Sequence, residues 1–246
     1  MKTSGNTILI TGATSGIGRA FAERFASSGN NVLACGRRKD RLDELTAAYP
    51  SVETLVCDIS VAEERERLAA WAVKKRPELN MLINNAGVQL ATDLTRPVDL
   101  DVVKSEVDTN LMAPIHLTSL LAPHLGRQKS AAIINISSGL AFTPIAAMAV
   151  YCATKAAMHS LTLSLRHQLR ATSVRVFEIA PPSVDTELGY QHRAGESRSH
   201  GGMPVSEFLA AAMEAIERDV YETAVGPAAG MREKREELFA RMNNWG

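Results

Sequence analysis

The chain has 246 residues, 46% of them hydrophobic and 22% charged, enough apolar material for a large buried core. Lysine plus arginine balances aspartate plus glutamate at 27 each, so no net positive field gathers nucleic acid or an anionic membrane surface, and a small molecule is the expected partner. Three cysteines, Cys35, Cys57 and Cys152, form no CxxC pair and no even framework, and no apolar stretch approaches the roughly 20 residues that cross a bilayer, so a soluble, unexported, cytoplasmic protein is expected.

Apolar, β-rich runs recur along the chain at Thr7 to Ile10, Asn31 to Ala34, Val52 to Val56, Met81 to Ile83, Ala132 to Ile136, Val174 to Ile179 and Glu222 to Val225. Between them, Ala20 to Ala26, Arg41 to Ala48, Ala62 to Lys75, Val102 to Leu125 and Ala153 to Leu169 suit crossover helices. This alternation predicts the α/β class, with a doubly wound parallel sheet of about seven strands and helices on both faces. Continuous runs such as Ile8-Leu9-Ile10 fit strands covered on both sides. One domain over residues 1–246 is expected, with a polar loop at about 186–203 that carries His192, Arg193, Arg198 and His200. Met203 to Arg218 then reads as an amphipathic helix and Met231 to Asn244 as a charged terminal helix.

The first run ends in Thr11-Gly12-Ala13-Thr14-Ser15-Gly16-Ile17-Gly18 and passes straight into an amphipathic stretch, Arg19 to Phe25. Glycines let a backbone turn tightly and approach a pyrophosphate, whose charge the free amides at a helix start attract. Gly12, Thr14, Ser15, Gly16, Ile17 and Gly18 are therefore candidate contacts of a dinucleotide. After the second run, where an acidic residue would select NAD by binding a ribose hydroxyl, the chain instead has Cys35-Gly36-Arg37-Arg38-Lys39. A guanidinium pairs well with the 2′-phosphate of NADP, so NADP(H) is expected over NAD, with Arg37 the first choice as ligand and Arg38 the second. The alternative for this run is a solvated basic loop. No metal is expected.

Tyr151 and Lys155 stand four positions apart, which on a helix puts a phenol and an ammonium on one face. A nearby positive charge stabilises a phenolate, so Lys155 is expected to lower the proton affinity of Tyr151. Ser138, thirteen positions before Tyr151, ends a strand-like run, with Ser137 the competing candidate beside it. Cys152 has no histidine partner and reads as a packing thiol.

The glycine turn in its GxxxGxG spacing, Asn84-Asn85-Ala86-Gly87, Asn110, Ser138 and Tyr151-x-x-x-Lys155 occur in an order that resembles the short-chain dehydrogenase/reductase family, whose fold is Rossmann-like. The resemblance implies that Asn85, Ala86 and Gly87 line the cofactor site and that Asp58, with Ile59, reaches the adenine, although Asp58 by itself could equally cap a helix. It implies that Ser138 steadies the substrate oxygen and that Tyr151 transfers the proton during hydride transfer. Lys155 would grip the nicotinamide ribose, and Asn110 would hold a water of the proton relay. Pro114 lies close after Asn110, where an irregular turn is expected. After the sixth run Pro181-Pro182 replaces the family's usual Pro-Gly, leaving Pro181, Val184 and Thr186 as cofactor contacts. The proline pair and the Ala-Val-Gly-Pro ending resemble the bacterial D-alanylation-operon oxidoreductases. The expectation is an NADP(H)-dependent oxidoreductase acting on a small carbonyl or alcohol, in a homo-oligomer, dimer or tetramer, paired through helices 102–125 and 153–169. Its rivals are a silent cofactor-binding sensor or interaction protein and a sugar-nucleotide epimerase.

Overall fold

The computed structural model describes residues 1–189 and 201–243. Seven strands, β1 (Thr7–Thr11), β2 (Asn31–Gly36), β3 (Val52–Val56), β4 (Met81–Asn84), β5 (Ala131–Ile136), β6 (Val174–Ala180) and β7 (Glu222–Ala224), form one sheet in the order β3-β2-β1-β4-β5-β6-β7. Every pairing is parallel. The uninterrupted apolar runs are explained by the two cores the sheet separates. Ile8, Ile10, Met81, Ile83, Ala132 and Ile134 face one, while Leu9, Leu82 and Ile133 face the other. Side chains alternate across a strand, so a strand with cores on both sides needs apolar residues on both of its faces.

Helices α1 (Gly16–Ser27) and α7 (Val205–Glu217) cover the first core with Phe21, Phe25, Phe208 and Ile216. The second core is closed by α3 (Ala62–Lys75) and α5 (Ala113–Leu125) through Leu68, Ala72, Leu117 and Leu121. Helices α2 (Lys39–Ala48) and α6 (Ala149–Gln168) complete the crossovers.

Two expected helices are broken. Val102 to Leu125 divides into α4 (Leu100–Val107), a wide π-helical turn at Asp108–Met112, and α5. Pro114 has no N–H for the carbonyl of residue 110, so the regular ladder cannot continue, and Asn110 sits within the widened turn. Met231 to Asn244 is likewise not one helix. It becomes α8 (Pro227–Lys234), a 3₁₀ turn at Arg235–Leu238 and α9 (Phe239–Met242), with Arg235 at φ +48°. The carbonyls of Met231 and Arg235 accept the Thr143 hydroxyl at 3.2 and 3.0 Å, which docks this bent tail beside the turn that follows β5.

A polar row crosses the sheet at one level, since Asn84, Asn135, Glu178 and Glu222 are paired in register on four successive strands. Asn84 donates to Asn135 at 2.9 Å, and Asn135 donates to Thr162 of α6 at 2.9 Å. Glu178 meets His159 of α6 at 2.8 Å, and Glu222 is paired with Arg232 of α8. His159, Glu178 and Glu222 bring ligand-type atoms within 4.8 Å of one another, but each carboxylate already has its partner on a helix. Buried polar contacts have narrow geometric tolerance, so the row fixes the register of α6 on the sheet.

The close approach of α1 to β4 leaves no room for side chains. A Cβ on Gly18 would lie 2.3 Å from Asn85 Nδ2 and 2.4 Å from the Gly12 carbonyl. Gly18→Ala is therefore expected to destabilise the fold by about 1–3 kcal/mol, read as a lowered urea midpoint at unchanged m-value. An unchanged midpoint would show that the turn has slack.

Candidate active site

The strand order reverses between β1 and β4, and a cleft of about 360 Å³ opens there at the carboxyl ends of the strands. Of the predicted positions, Gly12, Thr14, Ser15, Gly16, Ile17, Gly18, Arg37, Arg38, Asp58, Ile59, Asn85, Ala86, Gly87, Tyr151, Lys155, Pro181 and Thr186 line it. Asn110, Ser138 and Val184 do not. Val184 is buried and bridged to Met203. The loop residues Tyr190 to His200, which include His192, Arg193, Arg198 and His200, lie outside the described residues.

The glycine turn is held by its neighbours. Asn85 Nδ2 donates to the carbonyls of Thr11 and Gly12 at 2.9 and 3.3 Å, and Thr11 Oγ1 accepts the amides of Asn85 and Ala86, both at 3.1 Å. Gly12 and Gly16 have φ of +69° and +53°, and a Cβ on Gly12 would lie 2.7 Å from Ala86 Cα. The two positive φ values and the Ala86 contact require glycine, and together they leave an uncovered backbone surface at the start of α1. That surface, with the bare Cα of Gly87 beside Asn110 and Lys155, fits a bound dinucleotide.

Of the two arginines, Arg38 is the one engaged at the turn. Its Nη2 donates to Thr14 Oγ1 at 3.0 Å and to Ser15 Oγ at 2.6 Å, while Arg37 forms no hydrogen bond or ion pair among the described residues. Asp58 does hold a local turn, accepting the amide and hydroxyl of Ser60 at 3.0 and 2.7 Å, and it borders the cleft as well.

Helix α6 begins at Ala149, so Tyr151 and Lys155 lie in its first two turns, both buried and on the same face. Lys155 Nζ stands 5.7 Å from the centre of the Tyr151 ring and donates to the Ile136 carbonyl at 2.9 Å. Ser138 accepts the Leu140 amide at 3.1 Å and is the hydrogen-bonding neighbour of the Tyr151 phenol, whereas Ser137 lines the cleft with a buried hydroxyl that has no partner among the described residues. Cys152 is buried against Ile145, as a packing thiol would be.

Burial outweighs the expected tuning of the phenol. Burial pushes the Tyr151 phenol far above its ordinary value, and the Ser138 hydrogen bond offsets only part of this. Burial likewise lowers Lys155 to about 8, against which the charge of Glu178 works. The ammonium spends its hydrogen bond on a carbonyl instead of the phenol, so desolvation prevails and Tyr151 keeps its proton at neutral pH.

Asn110 is held by three side-chain hydrogen bonds. Its Oδ1 accepts the Val88 amide at 2.9 Å, and its Nδ2 donates to the Val88 carbonyl at 2.8 Å and to Thr154 at 3.2 Å. It thus ties the segment after Gly87 to α6, one residue before Lys155.

Three groups at the site were missed from the sequence. Gln89 and Glu187 line the cleft, and Glu106 of α4 is wholly buried, accepting the Leu90 amide at 3.0 Å. Burial raises Glu106, whose charge also pushes Tyr151 upward. No motif marks these residues, because their roles come from contacts far apart in the chain.

A doubly wound parallel sheet with a glycine turn at its switch point and a buried Tyr–Lys pair on the facing helix defines a dinucleotide-dependent oxidoreductase. The chain matches the short chain dehydrogenase family over residues 6–197 and belongs to it. It is 42% identical over 248 residues to the uncharacterized oxidoreductase DltE of Bacillus subtilis (strain 168), covering 99% of this chain and 98% of that protein, in keeping with the D-alanylation-operon subgroup. Among solved structures it resembles a short chain dehydrogenase from Burkholderia cenocepacia J2315 in complex with NADP, with TM-score 0.84, 27% identity and coverage of 98% and 99%. It also resembles one from Burkholderia phymatum in complex with NAD, with TM-score 0.83, 27% identity and coverage of 94% and 93%.

Asn110→Leu keeps the branched outline of the side chain but strands both backbone groups of Val88, so it should cost about 1–3 kcal/mol in urea unfolding. A variant as stable as the parent would mean that the Val88 clamp is dispensable.

Proposed function

We propose that this chain is an NADP(H)-dependent oxidoreductase that interconverts a carbonyl and a primary or secondary alcohol, with Tyr151 as general acid and base. The observation that carries this reading is the buried Tyr151–Lys155 pair on one face of α6, opening into the cleft that the glycine turn lines. A nicotinamide cofactor supplies or accepts the hydride when bound.

The residues of the chain do the rest. The amides of the Gly12–Gly18 turn and the start of α1 receive the pyrophosphate, and Arg38 and Arg37 favour a 2′-phosphate. Asp58 and Ile59 border the adenine, Asn85, Ala86 and Gly87 line the middle of the site, and Pro181 and Thr186 flank the nicotinamide end. The substrate oxygen sits between Ser138 and Tyr151. Ser138 hydrogen-bonds it as negative charge builds, and the Tyr151 Oη–H bond breaks as its proton passes to that oxygen. Tyr151 is already protonated in its buried setting, which suits reduction; Lys155 lowers the cost of the phenolate left behind, and Asn110 keeps the neighbouring backbone in place.

Intact Ser138, Tyr151 and Lys155 weigh against a silent sensor. Met112, Ile115 and Leu163 are exposed on the α5 and α6 side and support pairing of subunits there. Three buried free thiols fit a reducing cytoplasm, and no described helix is long and apolar enough to cross a membrane.

NADPH oxidation over a panel of ketones, aldehydes and quinones tests the reading. Tyr151→Phe should lower kcat by about 10²–10⁴-fold while cofactor still binds. Full turnover in this variant would remove Tyr151 from the mechanism. Separately, kcat/KM for reduction should be level near neutrality and fall about tenfold per pH unit above about 8, as the Lys155 ammonium is lost. The same group should make stability rise with pH from about 8 to its ordinary 10.5, because over that interval the unfolded chain binds more of the proton than the folded one. A profile flat to pH 10 would exclude Lys155 as the controlling charge.

A further inference from the structure

At the rim of the cleft an anion of the chain's own sits among cationic and hydroxyl groups. Arg38 Nη1 donates to Glu187 Oε2 at 2.7 Å, and Arg41 Nη2 stands 3.8 Å from Glu187 Oε1. Ser15, which accepts Arg38 at 2.6 Å, is also a hydrogen-bonding neighbour of the same carboxylate. Glu187 is 149 residues from Arg38 in the chain. It is brought there by Thr186, whose side chain lies so close to Gly16 that a Cβ on that glycine would meet it at 3.1 Å.

A guanidinium fork flanked by hydroxyls from the glycine turn is the donor set that a phosphate monoester takes. The Glu187 carboxylate occupies one edge of that set. We propose that Glu187 is a built-in competitor for the 2′-phosphate subsite: its carboxylate must leave Arg38 before the phosphate of NADP(H) can enter, whereas a cofactor ending in a 2′-hydroxyl leaves the pair intact. Glu187 thereby sets the ratio of affinities for the two cofactors. This rests on reading the cleft as an NADP(H) site with Arg38 at the phosphate.

The contest is winnable because the pair is weakly held. Both side chains are close to half exposed, at 43% and 46%, and such ion pairs are screened by water. A phosphate monoester brings about −1.5 to −2 charges against the single charge of a carboxylate, and so displaces it. Arg37, which has no ion pair among the described residues, is free to turn toward the same phosphate. Glu187 therefore moderates the preference for NADP(H) without abolishing it.

Calorimetric titration of the full chain with 2′,5′-ADP and 5′-AMP, and with NADP⁺ and NAD⁺, tests this. Removing the charge in Glu187→Gln should raise the preference for each 2′-phosphorylated ligand over its counterpart by roughly three- to fivefold, the most that an exposed ion pair returns. Glu187→Ala should shift the ratio in the same direction, and unchanged melting temperatures would show that both variants are folded. A ratio that stays put or moves toward NAD⁺ overturns the role of Glu187. If the parent protein itself favours 5′-AMP and NAD⁺, the NADP(H) reading falls and takes this one with it. A parent that favours the phosphorylated ligands while the variants leave the ratio unchanged removes only the competitor.

Discussion

Asn85 gives its amide protons to the carbonyls of Thr11 and Gly12, and the Thr11 hydroxyl takes the backbone amides of Asn85 and Ala86. This reciprocal clamp joins the ends of β1 and β4 where the sheet reverses its winding, and the rest of the site is built outward from it. It holds the glycine turn against Ala86 at a separation that excludes any side chain, so that the start of α1 faces the cleft as bare backbone. Gly87 then passes beside Asn110 and Lys155, which links the clamp to α6. Gly12, Gly16 and Gly18, which look like a cofactor motif, are thus also packing and backbone requirements of the fold itself.

The electrostatics of the site are governed by desolvation. Tyr151, Lys155 and Glu106 are all buried, and each is pushed toward its neutral form. Burial therefore acts on the two groups of the pair in opposite senses, holding the proton on the Tyr151 phenol and loosening it from the Lys155 ammonium. The carboxylate of Glu178, fixed in the polar row below, opposes the effect of burial on Lys155 and connects the sheet interior to the face of α6 that carries Lys155.

Most of the fold and the centre of the site were legible in the sequence because they follow from local patterns. Strands with cores on both faces read as unbroken apolar runs, and a phenol four residues from an ammonium can be assigned to one helical face without coordinates. The wide turn at Asn110 was foreshadowed by Pro114, although periodicity alone had joined α4 to α5. What escaped was set by contacts distant in the chain. Glu106 reads as an ordinary charged residue in an amphipathic helix yet is wholly buried, and Glu187 gains its meaning only from Arg38 across the cleft. The tail failed as a single helix because Arg235 takes a positive φ where its carbonyl and that of Met231 turn toward Thr143.

The polar row beneath α6 also bears on how such a chain can change. Glu222 and Arg232 pair where the arginine is 48% exposed, whereas His159 and Glu178, from different elements, meet where the carboxylate has no solvent exposure. Replacing one member leaves an orphaned charge or donor, whereas exchanging both together for apolar groups of similar size removes the debt. Drift at His159 and Glu178 is therefore constrained to proceed by concerted exchange, and homologues should carry either both residues or a hydrocarbon pair, with mixed sets rare.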